Sequence, residues 1–369
     1  MLFIVQHPYI RAHRNQAGFS LIEIMVGLVI GLLVTLVIMQ VFSVFEGQKR
    51  TTMGTADAQT NGNIALYNVQ RDVQLAGYGL PVFAKTNSPL LCTSLGTSAL
   101  SPVTITDGGA GAGASDTVTV RYGTTPLGGV PVTIGPPTTT AAPAVMVGVD
   151  NNMGCQVGDS AIIISDASCV LTRVIGPTDI AVPAVASASG TVNIELEDGT
   201  DVTSGASISC MGGWNAFTYA VNNNQLERNG APNVADIVNM QAQYGISAAG
   251  NNNQITSWVD ATGATWGAAM TVASRNRIKA VRIAIVARNG LLEKENVTAV
   301  CSSTADANPT GLCAWDATSA NPVTASPAPE IDLSKNADGT DNADWRRYRY
   351  RVYETIIPIR SMIWSRAAL

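Results

Sequence analysis

Gly18, Phe19 and Glu23 are the residues of this chain whose types and spacing bear most directly on chemistry. The Gly18–Phe19 bond closes a short segment that carries Arg11 and Arg14 and no acid, and it opens an apolar run that continues to Phe45. Glycine leaves such a bond extended and unhindered, open to a protease that cuts before an apolar segment. A secretory signal is cut after its apolar region, so cutting here would leave the region on the mature chain. Glu23 is the one charged side chain between Phe19 and Phe45. A carboxylate in hydrocarbon costs roughly 2.5–3.5 kcal/mol on insertion scales, so it calls for a partner and a purpose.

The element that positions these residues is a helix. The run from Phe19 to Phe45 exceeds the ~20 apolar residues needed to span a bilayer. Arg11 and Arg14 would hold its start on the cytoplasmic side. Helical signal continues without proline to about Ala76, where Leu66, Val69, Val73 and Ala76 recur at three- and four-residue spacing between Asn68, Arg71, Asp72 and Gln74. Gly77, Gly79 and Pro81 then stop it. A helix over residues 19–76 would be ~87 Å long, its first half in a membrane and its second half packed by one face on a domain.

Beyond residue 77 the patterns are those of strands. Asp116–Tyr122 alternates; Ala161–Ser165 is a short buried run after a Gly158-Asp159 turn; Phe217–Val221, Asn222–Asn224 and Gln225–Arg228 read as a hairpin. Ile278–Asn289 and Tyr348–Ile359 are further strands. Residues 101–145 and 302–342, rich in small residues and proline, read as long loops.

The composition excludes several function classes. Both histidines, His7 and His13, precede Gly18, so a chain cut there has none, which removes Ser-His-Asp and Cys-His catalysis and mixed Cys/His zinc sites. The formal charge is −5; loss of Arg11 and Arg14 leaves 20 basic against 27 acidic side chains, a net −7. That balance disfavours a general nucleic-acid binder. The six cysteines, Cys92, Cys155, Cys169, Cys210, Cys301 and Cys313, show no CxxC spacing, and their even number beyond an anchor suits disulfides in an oxidising compartment. Short loops favour Cys155–Cys169 and Cys301–Cys313, with Cys92–Cys210 remaining, each short loop contributing ~3 kcal/mol; other connectivities stay open.

Weaker motifs have plainer readings. Gly27 and Gly31 form a GxxxG that either lets helices approach or eases bending. Arg347, Arg349 and Arg351 would share one strand face and Tyr348, Tyr350 and Val352 the other, with the arginines pairing acids rather than DNA. The oxygen-rich Asn336–Asp344 stretch lacks EF-hand spacing and reads as a solvated turn. Asn296-Val297-Thr298 fits a glycosylation pattern and reads as polarity at a strand end.

The series Gly18, Phe19, Ser20, Leu21, Ile22, Glu23, behind a basic leader and before a long apolar run, resembles the type IV prepilin signal. Four further segments resemble the PilW type of minor pilin: Val69–Tyr78, the hairpin at Leu226-Glu227-Arg228, Val281–Arg288, and Tyr348–Trp364. The resemblance implies an α+β pilin fold, a long helix on an antiparallel sheet with long loop insertions. It implies a leader over residues 1–18, a helix over 19–76 that is transmembrane over 19–45, and a periplasmic head over 77–369. It also implies cleavage between Gly18 and Phe19 by a prepilin peptidase, N-methylation of Phe19, and an assembly role for Glu23 through a terminal amine. Major pilins carry a proline in mid-helix where this chain has Gln40, a departure easier to reconcile with a subunit near a filament end.

The expected function is structural and not enzymatic: a minor pilin priming type IV pilus assembly near the tip, in support of adhesion and twitching. Expected partners are the peptidase, other minor and major pilins and a tip adhesin, with no cofactor, metal or small-molecule substrate. The inner membrane would hold it by a single pass. The rivals are a minor pseudopilin of a type II secretion system, a DNA-uptake pilin and a membrane-anchored periplasmic enzyme.

Overall fold

The computed structural model describes residues 18–81, 94–95, 98–109, 114–125, 127, 129–135, 138–141, 144–149, 155–165, 168–176, 192–198, 202–250, 252–299 and 331–363. The leader up to residue 17, Cys92, Cys301, Cys313 and Trp364 lie outside these residues. The chain divides into two units, residues 1–53 and 54–369.

The first unit contains the start of helix α1 (Leu21–Gln74). Its most apolar window has a mean hydropathy of 2.8 and no buried residue, so the helix is long and apolar enough to cross a membrane. A helix satisfies its own backbone, which is what hydrocarbon demands. The polar side chains within the run do the same: the hydroxyls of Thr35 and Ser43 donate to the carbonyls of Leu32 and Gln40, each at 2.8 Å.

In the second unit α1 buries Gly54, Ala58, Gly62, Ala65, Val69, Asp72 and Val73, a stripe at three- and four-residue spacing. Small residues open the stripe because the sheet comes close. A methyl at Gly62 would lie 2.1 Å from Cε2 of Tyr353. Gly62→Ala gains about 1 kcal/mol of helix propensity, yet the overlap should dominate and cost about 1–3 kcal/mol. We expect a lower urea midpoint with an unchanged slope; a raised midpoint would show that Tyr353 yields freely. The helix ends at Gln74, two residues before the expected Ala76, and Gly77 turns the chain at φ 75°.

Strands β1 (Ser94–Leu95) and β2 (Ser98–Ala99) form a small ribbon, and β3 (Val103–Thr106) and β4 (Thr117–Tyr122) begin a larger sheet. Next come β5 (Val132–Thr133), β6 (Thr138–Ala141), β7 (Ala144–Val149), β8 (Ser160–Ser165), β9 (Ser168–Gly176), β10 (Val192–Leu196) and β11 (Ser207–Gly212). The chain returns with β12 (Asn215–Asn222), β13 (Gln225–Arg228) and β14 (Ala231–Ala235), then makes β15 (Ile237–Ser247), β16 (Ile255–Val259), β17 (Ile278–Arg288) and β18 (Tyr350–Pro358). The sheet orders are β14-β13-β12-β4-β3, β16-β15-β17-β18 and β5-β11-β8-β9-β10-β7-β6. The architecture is therefore α+β as expected, with several antiparallel sheets rather than one.

The hairpin predicted at residues 217–228 is present, its turn narrowed to Asn223 and Asn224 at φ 47° and 58°. Such left-handed pairs match the twist of the flanking strands. One core joins α1 to the two smaller sheets, with Val69, Tyr219, Leu226, Tyr244 and Ile283 fully enclosed.

The expectation of a long loop over 101–145 is corrected: this stretch holds β3 to β6 and the start of β7. In β3 Val103 and Ile105 are buried and Thr106 is exposed, a period-two pattern hidden among threonines. Of the second expected loop, residues 331–342 form turns closed by a Lys335–Asp341 bridge, and 302–330 lie outside the described residues.

Strands β4 and β12 are neighbours, with Tyr122 opposite Asn215, so residues 123–214 leave and re-enter at one hairpin. The inserted sheet curls back on itself: Ile134 bridges Val149, and the Gly135 amide donates to the Gly148 carbonyl at 2.8 Å. Its interior is a separate core including Ile134, Val147, Ile163, Ile194, Leu196 and Ile208. At its neck a side chain on Gly123 would meet the Met211 carbonyl at 2.3 Å, so only glycine lets the two connecting segments cross.

The disulfide expectation is also corrected, because Cys155 bonds Cys210 and not Cys169. Register explains it. In the β8–β11 pair Cys210 lies opposite Ala161, near the end of β8 that Cys155 precedes, whereas Cys169 lies opposite Ile164 towards the far end. The Cys92–Cys210 pairing falls with it, and Cys301–Cys313 lies outside the described residues. Closing a sequence separation of 55 residues contributes about 4 kcal/mol by loop entropy, more than a short staple.

Candidate functional site

Gly18, Phe19 and Ser20 precede the first turn of α1 and are exposed, Phe19 by 81%. Among the described residues, nothing beyond its chain neighbours lies within 4 Å of where a Gly18 side chain would start. The Gly18–Phe19 bond is thus outside the helix, where an extended peptide can enter a protease. The Ser20 carbonyl then accepts from the amides of Glu23 at 3.0 Å and Ile24 at 3.2 Å, which starts the helix.

Glu23 occupies the first turn, where an acid complements the positive end of the helix dipole. Phe19 and Glu23 are four residues apart in sequence, with Phe19 just ahead of the helix and Glu23 in its first turn. Gly27 and Gly31 continue the same four-residue spacing with nothing against them. The acid therefore heads a smooth strip on which a second helix can come close.

At the other end of α1 is a residue whose part the sequence did not reveal. Asp72, set among polar positions in the sequence, is 1% exposed. Tyr219 and Arg228 are directly opposite on β12 and β13, so their side chains share one face. Asp72 Oδ2 accepts from the Tyr219 hydroxyl at 2.7 Å and from Arg228 Nη2 and Nε at 2.8 and 3.0 Å. Arg71 approaches Oδ1 at 3.3 Å. The Arg228 guanidinium also covers the Phe217 ring, 3.7 Å from its centroid. Burial, then the bond to Asp72, pushes the Tyr219 hydroxyl pKa upward. The signal was there: Asp72 follows Val69 by three residues and Ala65 by seven, on the buried face.

Asp116, at the entry to β4, ties that strand to β15. Its Oδ1 accepts from the Gly108 amide at 3.1 Å and its Oδ2 from the Ala242 amide at 2.8 Å. Burial raises its pKa to about 7 despite these two donors, with Asp107 and Asp260 adding to the rise. A folded pKa above the unfolded value means that the native state holds the proton longer. This group's contribution is full below about pH 4 and is lost as pH rises to about 7. Asp116→Asn turns an amide towards one of those N–H donors and should cost about 1–3 kcal/mol. The deficit against wild type should be largest at pH 4 and narrow by pH 7.5 in urea denaturation. A deficit independent of pH would contradict the buried, protonated carboxyl.

The remaining sequence motifs are placed plainly. Arg347 pairs with Asp344 at 3.0 Å and Arg349 with Glu293 at 3.0 Å. In the Asn336–Asp344 turn the Asp338 carboxylate accepts from the Thr340 amide at 2.9 Å, and Lys335 pairs with Asp341. The Thr298 hydroxyl donates to the Tyr348 carbonyl.

A long exposed apolar helix opened by Gly-Phe and Glu, continuing into an antiparallel head, defines a prepilin-class chain. Residues 13–39 match the prokaryotic N-terminal methylation motif. Residues 214–361 match PilW, the Type IV Pilus-assembly protein W. The two matches support a type IV pilin of the PilW type, a minor pilin related to the type IV pilus. No curated protein and no solved structure matches it. Both families are structural components of pili, and the methylation motif implies processing by a prepilin peptidase. Residues 40–213, which include the inserted barrel, lie outside both matches.

Proposed function

We propose that this minor pilin primes type IV pilus assembly and sits at or near the tip, in support of adhesion and twitching motility. A prepilin peptidase cuts between Gly18 and Phe19, and the new amine of Phe19 is methylated. Residues 19–45 then anchor the chain in the inner membrane by a single pass, with the head over residues 77–369 in the periplasm. Major pilin, other minor pilins and a tip adhesin are its partners.

The reading rests above all on the exposed Gly18–Phe19 bond ahead of a helix that carries Glu23 on its smooth strip. Two further features support a terminal place. The head is enlarged by residues 123–214, a bulk that repeated lateral packing would have to accommodate, and Gln40 stands where major pilins have proline.

Mass spectrometry of the N-terminal peptide from purified membranes tests the processing. The expected chain begins at Phe19 and carries one added methyl group. A chain beginning at Met1 in cells with active prepilin peptidase would overturn the reading.

A further inference from the structure

Leu291 and Leu292 are 43% and 44% exposed, the one adjacent pair of exposed large apolar side chains beyond α1 among the described residues. They follow β17 in a stretch, residues 289–299, without helix or strand. The backbone there is nonetheless held. The amides of Asn289 and Glu293 donate to the carbonyls of Arg349 and Arg347 at 2.8 and 2.9 Å. Those of Val297 and Thr298 donate to the Arg346 carbonyl at 2.8 and 2.9 Å. The buried Asn289 side chain accepts from the Leu291 amide at 2.9 Å. Between the ties at Asn289 and Glu293 the chain presents Gly290, Leu291 and Leu292, an uncharged tip. A lone exposed leucine is ordinary on a protein surface, whereas a fixed pair at a tip calls for a partner.

The place of this tip along α1 indicates which partner. The contacts of the head follow the helix in order: Gly54 packs against Asn289 and Gly62 against Tyr353, and the Ala76 carbonyl accepts from the Ser361 hydroxyl. Gly54 is the first buried residue of α1, so the tip stands at the end of the head that α1 enters first. Nine residues separate Gly54 from Phe45, the last residue before Glu46 ends the apolar run. Nine helical residues rise ~13 Å. The headgroup layer on one side of a bilayer takes ~5–7 Å of such a distance. Two residues of chain beyond Asn289 reach up to ~7 Å. A tip pointed towards the start of the helix therefore meets the headgroups.

Nearby charges do not oppose this contact. Glu293 accepts from Arg349 at 3.0 Å, and the exposed Lys294 and Glu295 offset each other. Asp236, whose carboxylate comes within 3.2 Å of where a Gly290 side chain would start, is offset by the charge of Arg288. We propose that Gly290–Leu292 is a second membrane contact, its two leucines seated among the headgroups of the bilayer that α1 crosses. The proposal rests on the reading of residues 19–45 as a membrane anchor. A lipid interface takes up an apolar pair without matched hydrogen bonds, and a backbone fixed beforehand loses little freedom on contact. The contact holds the head against the bilayer before assembly, and entry into a fibre breaks it.

Photo-crosslinking of the full chain in intact cells tests this. A benzophenone amino acid replaces Leu291 or Leu292, one at a time. Val34 in the apolar run and Tyr78, 41% exposed just past the far end of α1, are the comparison positions. Mass spectrometry separates phospholipid adducts from protein adducts. We expect lipid adducts at Val34 and at both leucines, and their loss at Tyr78. Protein adducts alone at the leucines overturn the proposal and assign the tip to a neighbouring subunit. No adduct at either leucine, or an equal lipid yield at Tyr78, overturns it as well. A chain without lipid adducts at Val34 fails as a membrane anchor, and the proposal falls with that reading.

A second measurement needs no probe in the loop. The unaltered chain is placed in nanodiscs of phosphatidylethanolamine and phosphatidylglycerol that carry a headgroup nitroxide lipid. Methyl signals of Leu291 and Leu292 should broaden several-fold more than those of Leu226, which is enclosed in the core. Equal broadening of all three overturns the proposal. Neither measurement requires a pilus, so a failure of the priming role leaves both results intact.

Discussion

Replacing Arg228 with methionine should destabilise the head by about 3–5 kcal/mol, the range for removing one member of a buried ion pair. Asp72 keeps its burial in that variant but loses two of its charge-assisted bonds, at 2.8 and 3.0 Å. Arg71 cannot substitute, because its side chain is 54% exposed and reaches the other oxygen at 3.3 Å. The Tyr219 hydroxyl remains, a single neutral donor at 2.7 Å. Arg228→Lys tests geometry alone, since a lysine keeps the charge but neither the fork nor the flat stacking on Phe217. It should be intermediate.

Asp72→Leu combined with Arg228→Met should recover much of the loss, because apolar replacement of both partners removes the stranded charge. Urea midpoints of the four chains form a double-mutant cycle. A loss under about 1 kcal/mol for Arg228→Met would mean that the pair is solvated in solution.

The second large effect is on assembly. Glu23→Ala should leave membrane insertion intact, and even ease it by roughly 2.5–3.5 kcal/mol, while incorporation into fibres falls to near zero. The same energy explains both. A carboxylate that is costly when alone in hydrocarbon makes a docked arrangement with a neighbouring amine favourable over every undocked one. Glu23→Gln separates charge from hydrogen bonding and should also fail if a methylated amine is the partner. Fibres and membranes can be probed for the chain by immunoblot after shearing. Normal piliation in Glu23→Ala would remove the assembly role.

The parts legible in the sequence were those whose periodicity reports burial directly. Val69 and Val73 announced the helix face, and the runs at residues 278–289 and 348–359 announced strands. The Gly-Phe-Glu signal was legible because cleavage, anchoring and charge impose fixed local offsets. Asp72 stands among polar positions in the sequence, and Tyr219 and Arg228 lie more than a hundred residues downstream, where no local pattern shows them.

The inserted barrel was missed for another reason. Threonine-rich strands between glycines and prolines, such as Thr138–Ala141, differ little in composition from loop. The Cys155–Cys210 link was beyond sequence because strand register decides it. A turn at Asn229-Gly230, with both residues left-handed, was available in the dipeptide itself and went unread.

The neck at Gly123 has a consequence for how such chains diversify. An insert that enters and leaves through adjacent strands, encloses its own apolar interior and carries its own disulfide can be lengthened, shortened or exchanged with little disturbance to its host. Residues 123–214 can then be reworked while α1 and the segment matched to PilW keep their own packing.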